Sequence, residues 1–219
     1  MSRQRPGIKA AAPEAPELLF YDEIGEDCVE FVKCMLAASP QDGPITMRIN
    51  SPGGDAFTGT AVYNLLAEHQ GEITCHIDGI AMASASLIAM AADKIVAPEN
   101  SFMLIHNPIG LVVGNADDHR AMAEDLAVIA DADARVYARR SKQPLESVKA
   151  LMGEDRLMGA KEARSLGYID ELKPPKPMAA AFALVKVPEK HRASLQPFFI
   201  LAGWRQTQER LRAERRGLH

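Results

Sequence analysis

The sequence has few aromatic residues, few cysteines and no excess of positive charge. Aromatic side chains make up 5% of the 219 residues, and the formal net charge is -4. Such a balance gives no overall attraction to nucleic acid, so wholesale DNA or RNA binding is disfavoured. Cys28, Cys34 and Cys75 have neither CxxC nor metal-ligand spacing, and we expect them to be reduced thiols in the core.

Long hydrophobic runs and nucleotide-binding loops are also missing. The longest run of small and apolar residues, 79–92, is 14 residues long, which is short of the roughly 20 residues that span a bilayer. The first residues lack the apolar core of a secretion signal, and no GxxxxGK[ST] loop occurs. We therefore expect no membrane partner, no cofactor and no metal, and a cytoplasmic location.

The remaining composition, 47% hydrophobic and 25% charged residues, is typical of one soluble α/β domain with appendages. Residues 1–16, rich in Ala and Pro, are predicted to be a flexible arm, and residues 17–172 to be the folded domain. Residues 173–219 are predicted to be a Pro-rich linker and a basic tail. The tail is interpreted as a helix packed on the domain; an anchor to an assembling shell or its scaffold, or a segment removed by self-processing, is the alternative.

Short β-type runs alternate with amphipathic segments through the first hundred residues, which predicts a mostly parallel sheet with crossover helices. A long helix is predicted over 117–140, because Met122, Leu126, Ile129 and Val136 recur at helical spacing between charged residues. This apolar stripe requires a partner surface.

Two glycines stand where a predicted strand passes into a helix, in the stretch Asn50–Gly54. Without a Cβ, Gly53 and Gly54 let backbone N–H groups approach an anion closely, which is suitable geometry for an oxyanion hole. A plain strand-to-helix turn is the alternative.

Three further features each have an ordinary structural explanation. The serines in the stretch 78–86 could cap a helix, His106 at the end of a predicted strand could be structural, and Asp155 could be a capping carboxylate. Together, however, a hydroxyl, an imidazole and a carboxylate are the set needed for acyl transfer.

Residues 18–172 resemble the Clp peptidase (ClpP) family, particularly the shorter ClpP-related proteases encoded among phage head-assembly genes. The matching stretches are INSPGG (49–54), DGIAMASASLIAMAADKI (78–95), PENSFMLIHNP (98–108) and EDRLMGAKEARSLGYID (154–170). The resemblance implies a ClpP/crotonase-like α/β fold of stacked βαβ units with a protruding strand-helix handle, a Ser-His-Asp triad and assembly into rings.

The resemblance also implies roles for individual residues. His106 matches the general base and Asp155 the triad carboxylate. Gly53 and Gly54 match the turn that supplies one oxyanion donor, and the N–H of the residue after the nucleophile supplies the other. Residues 109–152 match the handle through which rings stack.

One position departs from the family pattern. The nucleophilic serine is expected four residues after the glycine that corresponds to Gly79, and Ala83 stands there. Three explanations are open: a serine-to-alanine variant made to prevent self-cleavage, Ser84 acting as the nucleophile after a local shift of the turn, or a natural pseudo-enzyme. In the helical turn, neighbours point about 100° apart, so the second explanation requires the turn to be rebuilt.

The predicted function is a serine endopeptidase that forms homo-oligomeric rings and cleaves unfolded or capsid and scaffold-type polypeptides, as a phage head maturation protease. The alternatives are a bacterial housekeeping peptidase and an inactive ring subunit with a structural or regulatory role. A crotonase-type acyl-CoA enzyme would explain neither His106 nor Asp155. Energy coupling in the family resides in a separate AAA+ unfoldase, which this sequence neither contains nor identifies.

Overall fold

Helices and strands alternate through residues 16–174, which are the residues that the computed structural model describes. The strands are β1 (Glu17–Phe20), β2 (Ile45–Ser51), β3 (Ile73–Met82), β4 (Lys94–Pro98), β5 (Phe102–Leu104), β6 (Met158–Gly159) and β7 (Glu171–Lys173). The helices are α1 (Asp27–Ala38), α2 (Ala56–Ala67), α3 (Ser84–Ala89), α4 (Ala116–Ser141), α5 (Leu145–Glu154) and α6 (Ala160–Ser165). The predicted arm and nearly all of the predicted tail lie outside the described residues.

The sheet is parallel along its main path, with strand order β1-β2-β3-β4-β7. Strand β3 changes neighbour along its length: Thr74–His76 pair with β4, whereas Ile80–Met82 pair with β5. Only β5 and β6 pair in the antiparallel sense among the described strands. This arrangement confirms the predicted α/β class and places β5 beside the carboxyl end of β3.

One face of the sheet forms the core. In β2 and in the first half of β3, every second side chain is buried, which is the alternation that a strand with one covered face requires. Cys75 is one of these buried residues, but Cys34 is exposed and Cys28 is half-buried. The prediction of three core thiols was therefore wrong for Cys34, which α1 turns to solvent, whereas Cys28 is partly buried against the core.

Helix α4 is tied to the domain at its carboxyl-terminal half only. It begins with a capping box, in which the Asn115 side chain accepts from the N–H groups of Asp117 and Asp118. Its two fully buried residues, Ala134 and Tyr137, both lie in the second half. The prediction of a strand before this helix is not met, since residues 105–115 form no strand. A lone extended segment has no neighbouring strand to bond with.

Within residues 16–174, no helix combines the length and the hydropathy needed to cross a bilayer.

Candidate active site

Ala83 occupies a sharp turn between β3 and α3. Its backbone has φ 49° and ψ -127°, a conformation that residues other than glycine rarely adopt. Backbone strain of this kind is found mainly at functional sites. Hydrogen bonds hold the turn from both sides: the N–H of Ala83 donates to Leu104 O at 3.0 Å, and its carbonyl accepts from the N–H of Ser86 at 2.9 Å. A strained strand-to-helix turn of this kind is how hydrolases present a nucleophile.

The side chain of Ser84 points elsewhere. A Cβ placed on Gly59 would lie 2.5 Å from the Ser84 Cβ, so this serine packs against α2. Its Oγ is buried and has no hydrogen-bond partner among the described residues. The sequence left Ala83 and Ser84 as alternatives for the nucleophile position. Both residues line one cavity, but Ala83 is partly exposed, whereas the Ser84 hydroxyl is buried.

The paired glycines lie against the same turn. Gly53 has φ 91°, and a Cβ there would fall 2.7 Å from the Ala83 Cβ and 3.2 Å from the Ser84 nitrogen. Its N–H already donates to the Ser51 hydroxyl at 3.1 Å. The N–H of Gly54 has no partner among the described residues, and Gly54 lines the cavity beside the turn. Of the two predicted donors, Gly54 is therefore the one with a free hydrogen.

His106 and Asp155 are in contact although they come from distant parts of the chain. His106 follows β5, and Asp155 ends α5 in a left-handed conformation with φ 49°. The Nδ1 atom of His106 lies 3.2 Å from Asp155 Oδ1, and both side chains are largely buried. The alignment is poor for a hydrogen bond, which is common for catalytic contacts before a substrate binds.

Burial sets the protonation of the imidazole. It lowers the pKa of His106, and the Asp155 carboxylate offsets part of this effect. The imidazole is therefore neutral at physiological pH, which is the form that a general base requires. Contact through Nδ1 leaves Nε2 as the nitrogen available to a reacting group.

Strand pairing brings the histidine to the turn. Met82 and Leu104 are partners in the parallel pair β3–β5, so Ala83 and His106 leave the same edge of the sheet. Both residues line one cavity of about 1020 Å³, which α4 covers on the opposite side. The structure thus brings together Ala83, His106, Asp155 and the paired glycines, whereas it turns the hydroxyl of Ser84 away.

Sequence reasoning missed two residues of α4 at this site. The Tyr137 hydroxyl lies 2.8 Å from Ser86 Oγ and 3.4 Å from the Ala83 carbonyl oxygen. Asp133, one turn earlier, also lines the cavity. A signal for Asp133 was present, because it interrupts the apolar stripe of the helix between Ile129 and Val136. Among residues 16–174, no group of three or more His, Cys, Asp or Glu side chains could hold a metal ion.

Comparison with known proteins gives a family and a set of relatives. The model of the family described as Clp protease matches residues 17–175. The chain is similar to the ATP-dependent Clp protease proteolytic subunit 1 of Mycobacterium bovis and of Mycobacterium tuberculosis. In each case the identity is 34% over 140 residues, which cover 63% of this chain and 70% of the relative.

Proposed function

Because the chain belongs to the Clp protease family, we propose that it is a ring-forming subunit with a serine-peptidase site whose nucleophile position is residue 83. The substrates are polypeptides that enter the cavity between the sheet edge and α4. The observation that carries the proposal is the contact of His106 with Asp155 beside the strained turn at Ala83.

The geometry supports an acyl-transfer mechanism for a serine at position 83. Nε2 of His106 takes the hydroxyl proton while Oγ attacks the scissile carbonyl carbon, and Asp155 holds the imidazole through Nδ1. The N–H groups of Gly54 and Ser84 stabilise the oxyanion. The imidazolium then gives its proton to the leaving amine, and a water molecule, activated by the same histidine, hydrolyses the acyl-enzyme.

Ala83 supplies a methyl group in place of that hydroxyl. Loss of the serine from a triad costs on the order of 10⁶ in turnover, and only oxyanion stabilisation and binding remain. We therefore propose that the chain with Ala83 binds polypeptides and hydrolyses them very slowly. Ser84 is the weaker candidate for the nucleophile, since its Oγ is buried against α2.

A non-catalytic ring subunit is the second candidate function, and Ala83 itself favours it. Such a subunit would keep the cavity and the assembly surfaces while another subunit performs the cleavage. The two candidates differ in one outcome, which is whether a hydroxyl restored at position 83 is reactive.

The biological setting follows the relatives rather than the phage prediction. The relatives named above are bacterial and are described as ATP-dependent, which favours a housekeeping peptidase that works with a separate unfoldase. Phage head maturation and a capsid or scaffold partner are supported only by the resemblance of the sequence motifs.

The test is the substitution Ala83→Ser in the full chain. We expect labelling by a serine-directed fluorophosphonate and hydrolysis of an unfolded protein such as casein, at least 10³-fold above the parent chain. The kcat/KM of this variant should fall as the pH is lowered through the pKa of His106, which lies below its usual value, because the imidazole then becomes protonated and can no longer act as a base.

Two controls separate the explanations. The double variant Ala83→Ser with His106→Ala should lose both labelling and hydrolysis. Ser84→Ala in the parent chain should change neither. If the parent chain already labels and cleaves, and Ser84→Ala abolishes both, the nucleophile is Ser84 and the assignment of position 83 is wrong. If Ala83→Ser folds but remains inert, the non-catalytic subunit is the better description.

A further inference from the structure

The cavity beside the turn at residue 83 is acidic. Among its described lining residues there is no lysine or arginine, while six carboxylates contribute: Asp22, Glu23, Asp55, Asp78, Asp125 and Asp133. Several of these are engaged elsewhere. Asp78 pairs with Arg48, and Asp55 caps α2 by accepting from the N–H of Thr58. The charge that remains uncompensated is what a bound polypeptide would meet.

Asp133 differs from the others in its position. It lies one helical turn before Tyr137, so the two side chains share a face of α4 with Cβ atoms about 5–6 Å apart. The Tyr137 hydroxyl is 3.4 Å from the carbonyl oxygen of Ala83. Asp133 and Ala83 line the same cavity, and Asp133 lies one helical turn from the residue that contacts the turn.

The carboxylate of Asp133 is half-buried and makes no ion pair or hydrogen bond with any described residue. Its neighbours along the helix, Ile129 and Leu126, are apolar and line the same cavity. Burial raises the pKa of Asp133 to about 6, so the group is charged at neutral pH at a cost in desolvation. Asp131, two residues earlier, is instead paired with Arg135 and Lys149.

Asp22, Glu23 and Asp125 also line the cavity without an ion pair among the described residues, but they are exposed, whereas Asp133 is half-buried. An apolar slot with a half-buried, unpaired carboxylate at its wall is complementary to a long aliphatic side chain that ends in a positive charge. Lysine and arginine bury their methylene groups against apolar surface and keep the charged end for a partner. We propose that Asp133 is a specificity-determining residue that selects lysine or arginine as the substrate residue on the carbonyl side of the scissile bond. This inference rests on the proposed peptidase site and names its substrate class.

The first test measures binding, so it does not depend on hydrolysis. Fluorescein-labelled peptides that differ only in one residue, lysine, norleucine or glutamate, are titrated into the chain with Ala83. We expect the lysine peptide to bind about tenfold more tightly than the norleucine peptide, because norleucine has the same aliphatic length without the charge. Asp133→Asn should remove this difference.

The matched control is Asp131→Asn, which removes the same charge from the same helix outside the cavity. It should leave the lysine preference unchanged. Sizing of both variants checks that folding and assembly are intact. If Asp133→Asn and Asp131→Asn reduce the lysine preference equally, the preference comes from the overall negative potential of the surface, and the assignment of Asp133 is overturned.

The second test uses Ala83→Ser and compares cleavage after lysine, arginine and norleucine in otherwise identical peptides. Asp133→Asn in this background should lower kcat/KM for the lysine and arginine peptides by about 10-fold to 100-fold relative to the norleucine peptide, because only the positively charged side chains lose a partner. Cleavage of all three peptides at equal rates would overturn the inference while leaving the peptidase site intact. Selective binding of lysine by an Ala83→Ser variant that cleaves nothing would instead count against the peptidase site alone.

Discussion

The turn at residue 83 and the segment that leads into α4, residues 105–115, differ in how far the rest of the chain encloses them. The turn is enclosed by its own chain: both backbone groups of Ala83 are bonded, and Gly53, Gly59 and Ser86 pack around it. In the leading segment, Leu111 and Val113 are 90% and 94% exposed. Ile109, also in this segment, is exposed as well, and a contiguous group of exposed apolar side chains is typical of a surface that another molecule covers.

This difference indicates which parts of the protein are complete in one chain. The end of the sheet that carries the candidate active site has its hydrogen bonds and core contacts within residues 16–174, so its geometry is expected to be present in a single copy. The segment before α4 leaves Leu111 and Val113 with little to pack on. A second copy of the chain, as in the rings that the family forms, would supply the missing surface.

The largest difference in stability between the two regions is expected when one methyl group is added to a glycine in each. A Cβ on Gly54 would lie 2.3 Å from the carbonyl oxygen of Ile24, which is backbone and cannot move aside, whereas a Cβ on Gly110 would meet the end of the flexible Met122 side chain. Gly54→Ala should lower the free energy of unfolding by about 2–3 kcal/mol. Gly110→Ala should change it by no more than about 0.5 kcal/mol.

Urea denaturation at one protomer concentration measures both changes. Equal losses in the two variants would contradict the view that the turn is rigid and the leading segment is adaptable.

A smaller effect is expected where the two regions meet. The Tyr137 hydroxyl of α4 bonds to Ser86 Oγ behind the turn, so Tyr137→Phe should cost about 1 kcal/mol of stability. In the Ala83→Ser background it should also lower kcat more than it raises KM, because the turn is less firmly held. Tyr63→Phe is the control, since that hydroxyl has no bonding partner among the described residues. Equal kcat values for the two variants would show that the contact does not position the turn.

The smallest effect on the stability of a protomer is expected at the exposed apolar residues. Leu111→Ser combined with Val113→Ser should change the free energy of unfolding of a protomer by no more than about 0.5 kcal/mol, because these side chains pack on little in one chain. The assembly should nevertheless shift from rings to smaller species, as measured by light scattering during sizing. Unchanged rings would show that the segment is not a contact between copies.

Much of the fold could be predicted because its signals are local. Short β-type runs predicted the parallel sheet, and the long helix predicted over 117–140 is observed as α4 (Ala116–Ser141). The pairing of His106 with Asp155 was predicted through the family motifs, not from spacing. The predicted handle strand is not observed, because an extended segment needs a neighbouring strand for its backbone hydrogen bonds and no described part of this chain supplies one.

The sequence alone determined most helices and strands, the α/β class and the set of polar residues at the strand ends. These features depend on hydrophobic periodicity and on turn residues, which are patterns of a few neighbouring positions. Tertiary structure decided which of two adjacent side chains is accessible. Ala83 lies at the turn beside Gly53, and Ser84 packs on α2 beside Gly59, and these glycines are 30 (83 - 53) and 25 (84 - 59) residues away in the chain. Likewise, only packing could bring Tyr137 to Ser86, 51 residues away, since no local pattern specifies which face of a helix meets which turn.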